Sequence, residues 1–389
     1  MLWTYGCDWQ TPIVERLEWK TDVITAYNGS EQRIAVRQYP RRSVEFAFLV
    51  DGDQQRRLLE ARLWSNGAKS WDVPVFPDTV YSTQASLAGS NTIHVDTAYC
   101  DFAVGNKVML KSACTDHYLL AEIANVYSNA IVLTTALADD WDVETAVIPV
   151  RPGYLNPNQQ ITRFTGDDIY DVIQFEFDDV TTIPPEVPAL YRNFPVVGIG
   201  SDWQQDLTLQ YQRKMQVVDF GGNIYRDDET GQPALVHSHY WVLDSREKIH
   251  QFKQFLFARR GRLTVCWLPS FLNDFQIVGP VSAGSYQVNV EYSGYLQLYQ
   301  FKKNRRDIRI ELQDGTVLYR RIVNCVEASS EVEQLTLDQP IPQNIAVDDV
   351  LRISFMSLSR LDADNVELAY HFPDYVNVNA IWRSTNDDL

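Results

Sequence analysis

The chain has 389 residues, 51 acidic against 34 basic, for a net charge of −17. Gripping DNA phosphates needs Lys and Arg, so this balance argues against a DNA-binding surface and suits one that DNA passes without sticking. Hydrophobic residues make up 45% and aromatics 12%, which is globular composition and favours sheet over helix.

The N-terminus MLWTYGCDWQ lacks a basic region followed by an apolar run, so no signal peptide is expected. No stretch approaches the length of a membrane span, so no membrane anchor is expected. Residues 17–26 (LEWKTDVITA) read as one strand. Tyr27-Asn28-Gly29-Ser30 is turn chemistry, because Asn-Gly tolerates positive φ. Residues 33–39 alternate again, Pro40 interrupts, and residues 44–50 (VEFAFLV) form a further strand with Val44, Phe46 and Phe48 on one face. Then the period changes. Asp51-Gly52-Asp53 supplies cap candidates for a helix over 54–64, with Leu58, Leu59, Ala61 and Leu63 as its apolar stripe and Asn66-Gly67 as its stop. Trp71, Val73 and Val75 alternate as a strand ended by Pro77. From 85 to about 150, short β-branched runs separated by turns predict a small closed barrel. Residues 171–177 (DVIQFEF) resume a long strand able to rejoin the first sheet.

The second half repeats the first. Gly6, Asp8, Trp9 and Gln10 return as Gly200, Asp202, Trp203 and Gln204, each 194 positions later. Lys20, Val23 and Gly67 return as Lys214, Val217 and Gly261 at the same shift, which reads as a gap-free register. A unit copied within one chain sets two equivalent surfaces in fixed relation. Strands recur at 207–220 and 236–243. A helix capped by Asp244-Ser245 carries Ile249, Phe252, Phe255 and Leu256, and Arg259 and Arg260 suit the negative end of its dipole. Residues 365–372 (NVELAYHF) match the strand at 171–177.

The expected fold is mainly β: two tandem β-sandwich domains, each with one packed helix and each carrying an inserted small β-barrel. The expected boundaries are 1–84 plus 160–182 for the first sandwich and 85–159 for its barrel. A Pro-rich linker spans 183–195. The second sandwich covers 196–280 plus 360–389, and its barrel 281–359.

Motifs for covalent chemistry are missing: no G-x-S-x-G, no G-x-x-x-x-G-K-[ST], no H-E-x-x-H, and no G-x-G-x-x-G opening a helix. We therefore expect no enzyme, no catalytic residues, no metal ligands and no cofactor. The five cysteines (Cys7, Cys100, Cys114, Cys266, Cys325) form no C-x-x-C, which argues against a disulfide framework and for a reducing compartment. His237-x-His239 places two imidazoles on one strand face, but satisfied strand histidines are the simpler reading. Acidic groups at Asp139-Asp140-Trp141-Asp142, Asp348-Asp349 and Asp362-x-Asp364 read as solvated turn residues. Asp8, Trp9, Asp202 and Trp203 are preserved most fully between the halves. They are candidate repeat anchors or inter-subunit contacts, the tryptophans reading first as core residues that start each sheet.

Two segments carry a resemblance: T-D-V-I-x-x-x-x-G-x-E-Q-R over Thr21–Arg33, and F-x-x-F-L-F-A-R-R-G-R-L over Phe252–Leu263. They resemble tail-tip or baseplate proteins of long-tailed bacteriophages, of the distal tail or tail hub class. The resemblance implies the tail-tube fold, a β-sandwich with one packed helix that assembles into a ring around the DNA channel. It implies a virion structural protein at the tail tip, assembled in the host cytoplasm, joining tail tube protein to hub, baseplate and fibre proteins. The ring is a trimer with pseudo-sixfold symmetry or a hexamer, with DNA passing through its lumen. The alternative is a carbohydrate- or receptor-binding tail protein, which expects exposed barrel aromatics such as Tyr295 or Tyr299.

Overall fold

A computed structural model describes every residue except 113–116, 164, 181–182 and 387–389. It is mainly β, with 46% of residues in strands and 10% in helices, in line with the aromatic and β-branched composition. Cys114 lies outside the described residues.

In chain order the first half contains β1 (Ile13–Glu18), β2 (Thr21–Thr25), β3 (Glu31–Ala35), β4 (Arg41–Val50), α1 (Asp53–Asn66), β5 (Trp71–Pro74), β6 (Val80–Tyr81), β7 (Thr92–His94), β8 (Lys107–Lys111), β9 (Tyr118–Tyr127), β10 (Ala130–Leu133), β11 (Ala146–Leu155) and β12 (Ile169–Phe177). The second contains β13 (Leu190–Tyr191), β14 (Phe194–Pro195), β15 (Leu209–Gln212), β16 (Met215–Asp219), β17 (Ile224–Asp228), β18 (Ala234–Leu243), α2 (Arg246–Arg259), β19 (Cys266–Pro269), β20 (Gln287–Glu291), α3 (Tyr295–Leu298), β21 (Asp307–Leu312), β22 (Val317–Ser329), β23 (Val332–Leu337), β24 (Val350–Leu361), β25 (Asn365–Phe372) and β26 (Tyr375–Ser384).

The strand pairings repeat. The first half is ordered β1–β4–β12–β11–β5, and the second β15–β18–β26–β24–β19. A hairpin follows the first strand of each set, β2–β3 and then β16–β17. The intervening strands also match: β7–β10–β9–β8–β11 and β20–β23–β22–β21–β24. β11 and β24 each run from a small apolar cluster into the main sheet. Val147 belongs to the cluster with Ile93 and Leu133, whereas Ile148 and Val150 belong to the main core.

Several details differ from the expectations above. The strand over 17–26 is broken at Trp19, whose N–H turns to the Asp364 carbonyl and whose ring is buried. The repeat register is not gap-free, because five residues separate β2 from β3 and four separate β16 from β17. The left-handed Arg260, inserted at the end of α2, restores the shift at Gly261. The partner of β18 in the place of β12 is β26, not residues 365–372. Those form β25, an added strand that bridges β26 to β1. The linker end is docked rather than a free spacer: Tyr191 and Val196 pack with Trp267, whose indole N–H donates to the Tyr191 carbonyl at 2.9 Å.

The helices differ most. α2 buries Ile249, Phe252, Phe255 and Leu256, and Ser245 caps it by accepting from the Lys248 N–H. α1 buries only Leu59; Leu58 and Ala61 face solvent, and Trp64 is 94% exposed. Its surface ion pairs, Asp53 with Arg56 and Arg57 and Arg56 with Glu60, support a helix with little apolar face.

The main core is shared between the halves. Trp3, Phe46, Phe48, Trp71 and Phe175 from the first half belong to the same cluster as Trp241, Phe252, Leu256 and Trp382 from the second.

Candidate functional site

The most elaborate chemistry lies on the seam where the halves meet. β1 pairs with β25 over six residues, from Ile13 opposite Tyr370 to Glu18 opposite Asn365. Arg16 spans the junction, bonding Glu367 and Glu45 at 2.7 Å each. Beneath it, buried Glu15 accepts from Arg42 at 2.6 Å, from Lys253 of α2 at 2.8 Å and from the Tyr370 hydroxyl at 2.8 Å. Burial alone would raise the Glu15 pKa. The charges of Arg42 and Lys253 outweigh it and hold the carboxyl down at about 2. Burial likewise opposes the charge on Lys253, and Glu15 keeps it protonated with a raised pKa.

The network continues outward. Arg42 reaches Asp101 at 2.5 Å, Asp101 also pairs with Arg151, and Arg151 reaches Asp179 at 2.6 Å. Glu15, Arg42, Asp101, Arg151 and Lys253 line a cavity of about 340 Å³. Arg42, Arg151 and Lys253 each already face a carboxylate, so the cluster acts as a lock rather than as a charged trap for a ligand.

Two further ties cross the seam. Asp364 accepts from the Thr21 N–H at 2.8 Å and the Arg262 N–H at 2.9 Å. It is therefore a connector, contrary to its reading as a solvated turn residue. Glu31, on the β2–β3 hairpin, holds Arg360 of β24 by two bonds of 2.7 Å. Asp362, also read as a turn residue, pairs with Arg383 at 2.7 Å.

The candidate anchors fall into two equivalent pairs rather than one site. The Asp8 N–H donates to the Ala47 carbonyl at 2.8 Å, and the Asp202 N–H to the Tyr240 carbonyl at 2.7 Å. Each aspartate pins the chain to the second strand of its sheet set, β4 or β18. The tryptophans are not core residues of both halves: Trp9 is half-buried against the main core, and Trp203 is 67% exposed. Trp3, which the repeat did not single out, fills the core instead.

The histidines are enclosed. Burial lowers the pKa of His237 and His239 to about 4 each, with Arg305 adding to the effect at His237 and His237 at His239. Among the described residues no three His, Cys, Asp or Glu side chains form a metal-ligating group. Tyr295, a candidate glycan-binding aromatic, is buried and stacks on Phe355, so it presents no ring to solvent. No described helix is long and apolar enough to cross a membrane.

Sequence reading missed the seam because its partners are distant: Glu15 and Tyr370 are 355 positions apart. The one local signal was Lys253, a cation on an otherwise apolar helix stripe. Beyond the seam, β15 and the β16–β17 hairpin stand exposed, showing Val217, Phe220 (72% exposed), Ile224 and Tyr225. No protein-family model matches this chain, and no curated protein matches it significantly.

Proposed function

We propose that this chain is a virion structural protein of a long-tailed bacteriophage. In this reading it forms a ring at the distal end of the tail tube and joins the tube to hub, baseplate and receptor-binding parts. It consists of two tandem tube-type β-sandwich domains, each with a packed helix and an inserted small β-barrel. The observation that carries the reading is the repeated five-strand order, with one edge closed inside the chain at β1·β25 and the equivalent edge, at β15, left open among the described residues. A repeated unit with one satisfied and one open edge is built to continue, and closed symmetry is the usual end of such continuation. Three chains of two units each give a pseudo-sixfold ring, matching a sixfold tube to a threefold tip. The net charge of −17 suits a lumen that DNA crosses without adhering.

Native mass spectrometry and electron microscopy of the purified chain test this. A closed trimer that caps isolated tail tubes is expected. A chain that stays monomeric at every concentration, and does not bind tubes, would overturn the reading. Of the two aromatics that motivate the carbohydrate-binding alternative, Tyr295 is buried and Tyr299 is half-buried.

A further inference from the structure

The molecule contains its own example of how one half joins the next. The edge strand of the first half, β1, pairs with β25, and β25 pairs with β26 of the second half. β15 stands in the second half where β1 stands in the first: Leu209 lies opposite His237 as Glu15 lies opposite Val44. Yet β15 is exposed along its whole length and, among the described residues, pairs only with β18. An open edge of unpaired N–H and C=O groups is a template for another strand.

The other side of that junction is present in a half-formed state. β12 stands where β26 stands, since Ile169 faces Val50 as Val376 faces Leu243. Residues 158–163 therefore occupy the place of 365–370. Their one rung, Arg163 opposite Ile169, is the equivalent of Tyr370 opposite Val376 in the complete ladder. Elsewhere a side chain stands in for the missing strand. The Gln159 amide donates to the Val172 carbonyl at 2.8 Å and accepts from the Gln174 N–H at 3.3 Å. A third position agrees. The counterparts of the Glu31–Arg360 pair are Ile224 and Tyr154, two apolar side chains that are 56% and 43% exposed.

We propose that β15 of one copy pairs antiparallel with residues 158–163 of a second copy. Those residues pass from loop to strand and repeat the β1·β25 junction between molecules. This rests on the ring reading above and names its contact. Transferring the internal register puts Leu209 opposite Ile161 and Gln210 opposite Gln160, as Glu15 is opposite Leu368 and Arg16 opposite Glu367. Ile224 then covers Tyr154 of the second copy. The contact joins two different surfaces, so it closes into a ring or runs on as a filament.

The test uses the full chain. Arg16 bonds Glu367 inside the molecule, whereas two exposed glutamines face each other at the intermolecular counterpart. The Q210R/Q160E pair should tighten assembly, and Q210E/Q160E should loosen it, by up to about fivefold per junction. Directly opposed residues lie within disulfide reach. Mild oxidation of a Q210C/Q160C variant should therefore give covalently closed multimers of one size, with none from the unsubstituted protein. Suppose the unsubstituted chain forms a ring by native mass, but the cysteine variant does not link and the charge pairs leave assembly unchanged. The junction is then overturned while the ring reading stands. If the chain and its Q210R/Q160E variant both remain monomeric, with and without tail tubes, both fall together.

Discussion

Glu15 shows how much one side chain carries at the seam. It sits among Arg42, Lys253 and Tyr370, out of water, with every near partner a donor. Glu15→Gln removes the negative charge and leaves two buried cations undercompensated, which should cost about 3–5 kcal/mol of unfolding free energy. Urea denaturation at neutral pH reads this directly; a loss no larger than that of a surface pair would mean the cluster is not a lock. Gly261 is a second sensitive point. Its φ is +64°, and an added Cβ would fall 2.5 Å from an Asp364 oxygen and 3.1 Å from the Trp19 Cβ. Gly261→Ala should therefore cost about 1–3 kcal/mol in the same assay. The sequence repeat pairs Gly261 with Gly67, but Gly67 has φ −55° and ends its helix in right-handed geometry. Identity of residue type was legible; identity of backbone role was not, because the extra Arg260 changes how α2 ends.

At the scale of elements, periodicity located α1 and α2 and most strands of the main sheet, but not the four-residue α3. It could not say how deeply each helix is buried. Leu58 and Ala61 fit an apolar stripe on paper, but α1 keeps only Leu59 in the core while α2 inserts three phenylalanines. Phe252→Ala should thus cost about 3–5 kcal/mol, whereas Leu58→Ala should stay within about 0.5 kcal/mol. Equal losses at the two positions would contradict the asymmetric burial. β25 was legible as a strand but not as a bridge. Its alternation, with Val366, Leu368 and Tyr370 buried, fits a sheet edge anywhere. Only the pairing with β1 assigns it, and that pairing spans almost the whole chain.

At the scale of the molecule, the repeat and the shared core pull in different directions. A duplicated chain is expected to melt as two units. A main core shared between the halves, and seam-crossing carboxylates that include Glu15, Glu31 and Asp364, favour one cooperative transition. Those carboxylates also set its pH dependence. Burial pushes Glu15, Glu31 and Asp364 upward, but their cationic and N–H partners pull each below its ordinary value. Groups whose folded pKa is depressed stabilise the fold above the unfolded pKa and lose that contribution as pH falls through the folded one. For Glu15 the window runs from an ordinary 4.5 to about 2. A shift of that size corresponds to about 3 kcal/mol for this fully buried group. Calorimetry should therefore show one main transition near neutral pH and a steep loss of stability between about pH 4.5 and 2, with the seam opening first. Lys253→Met should flatten part of that slope, because Glu15 loses one of the two charges that depress its pKa. Two transitions already at neutral pH would mean that the halves fold on their own and that the charged cluster does not couple them.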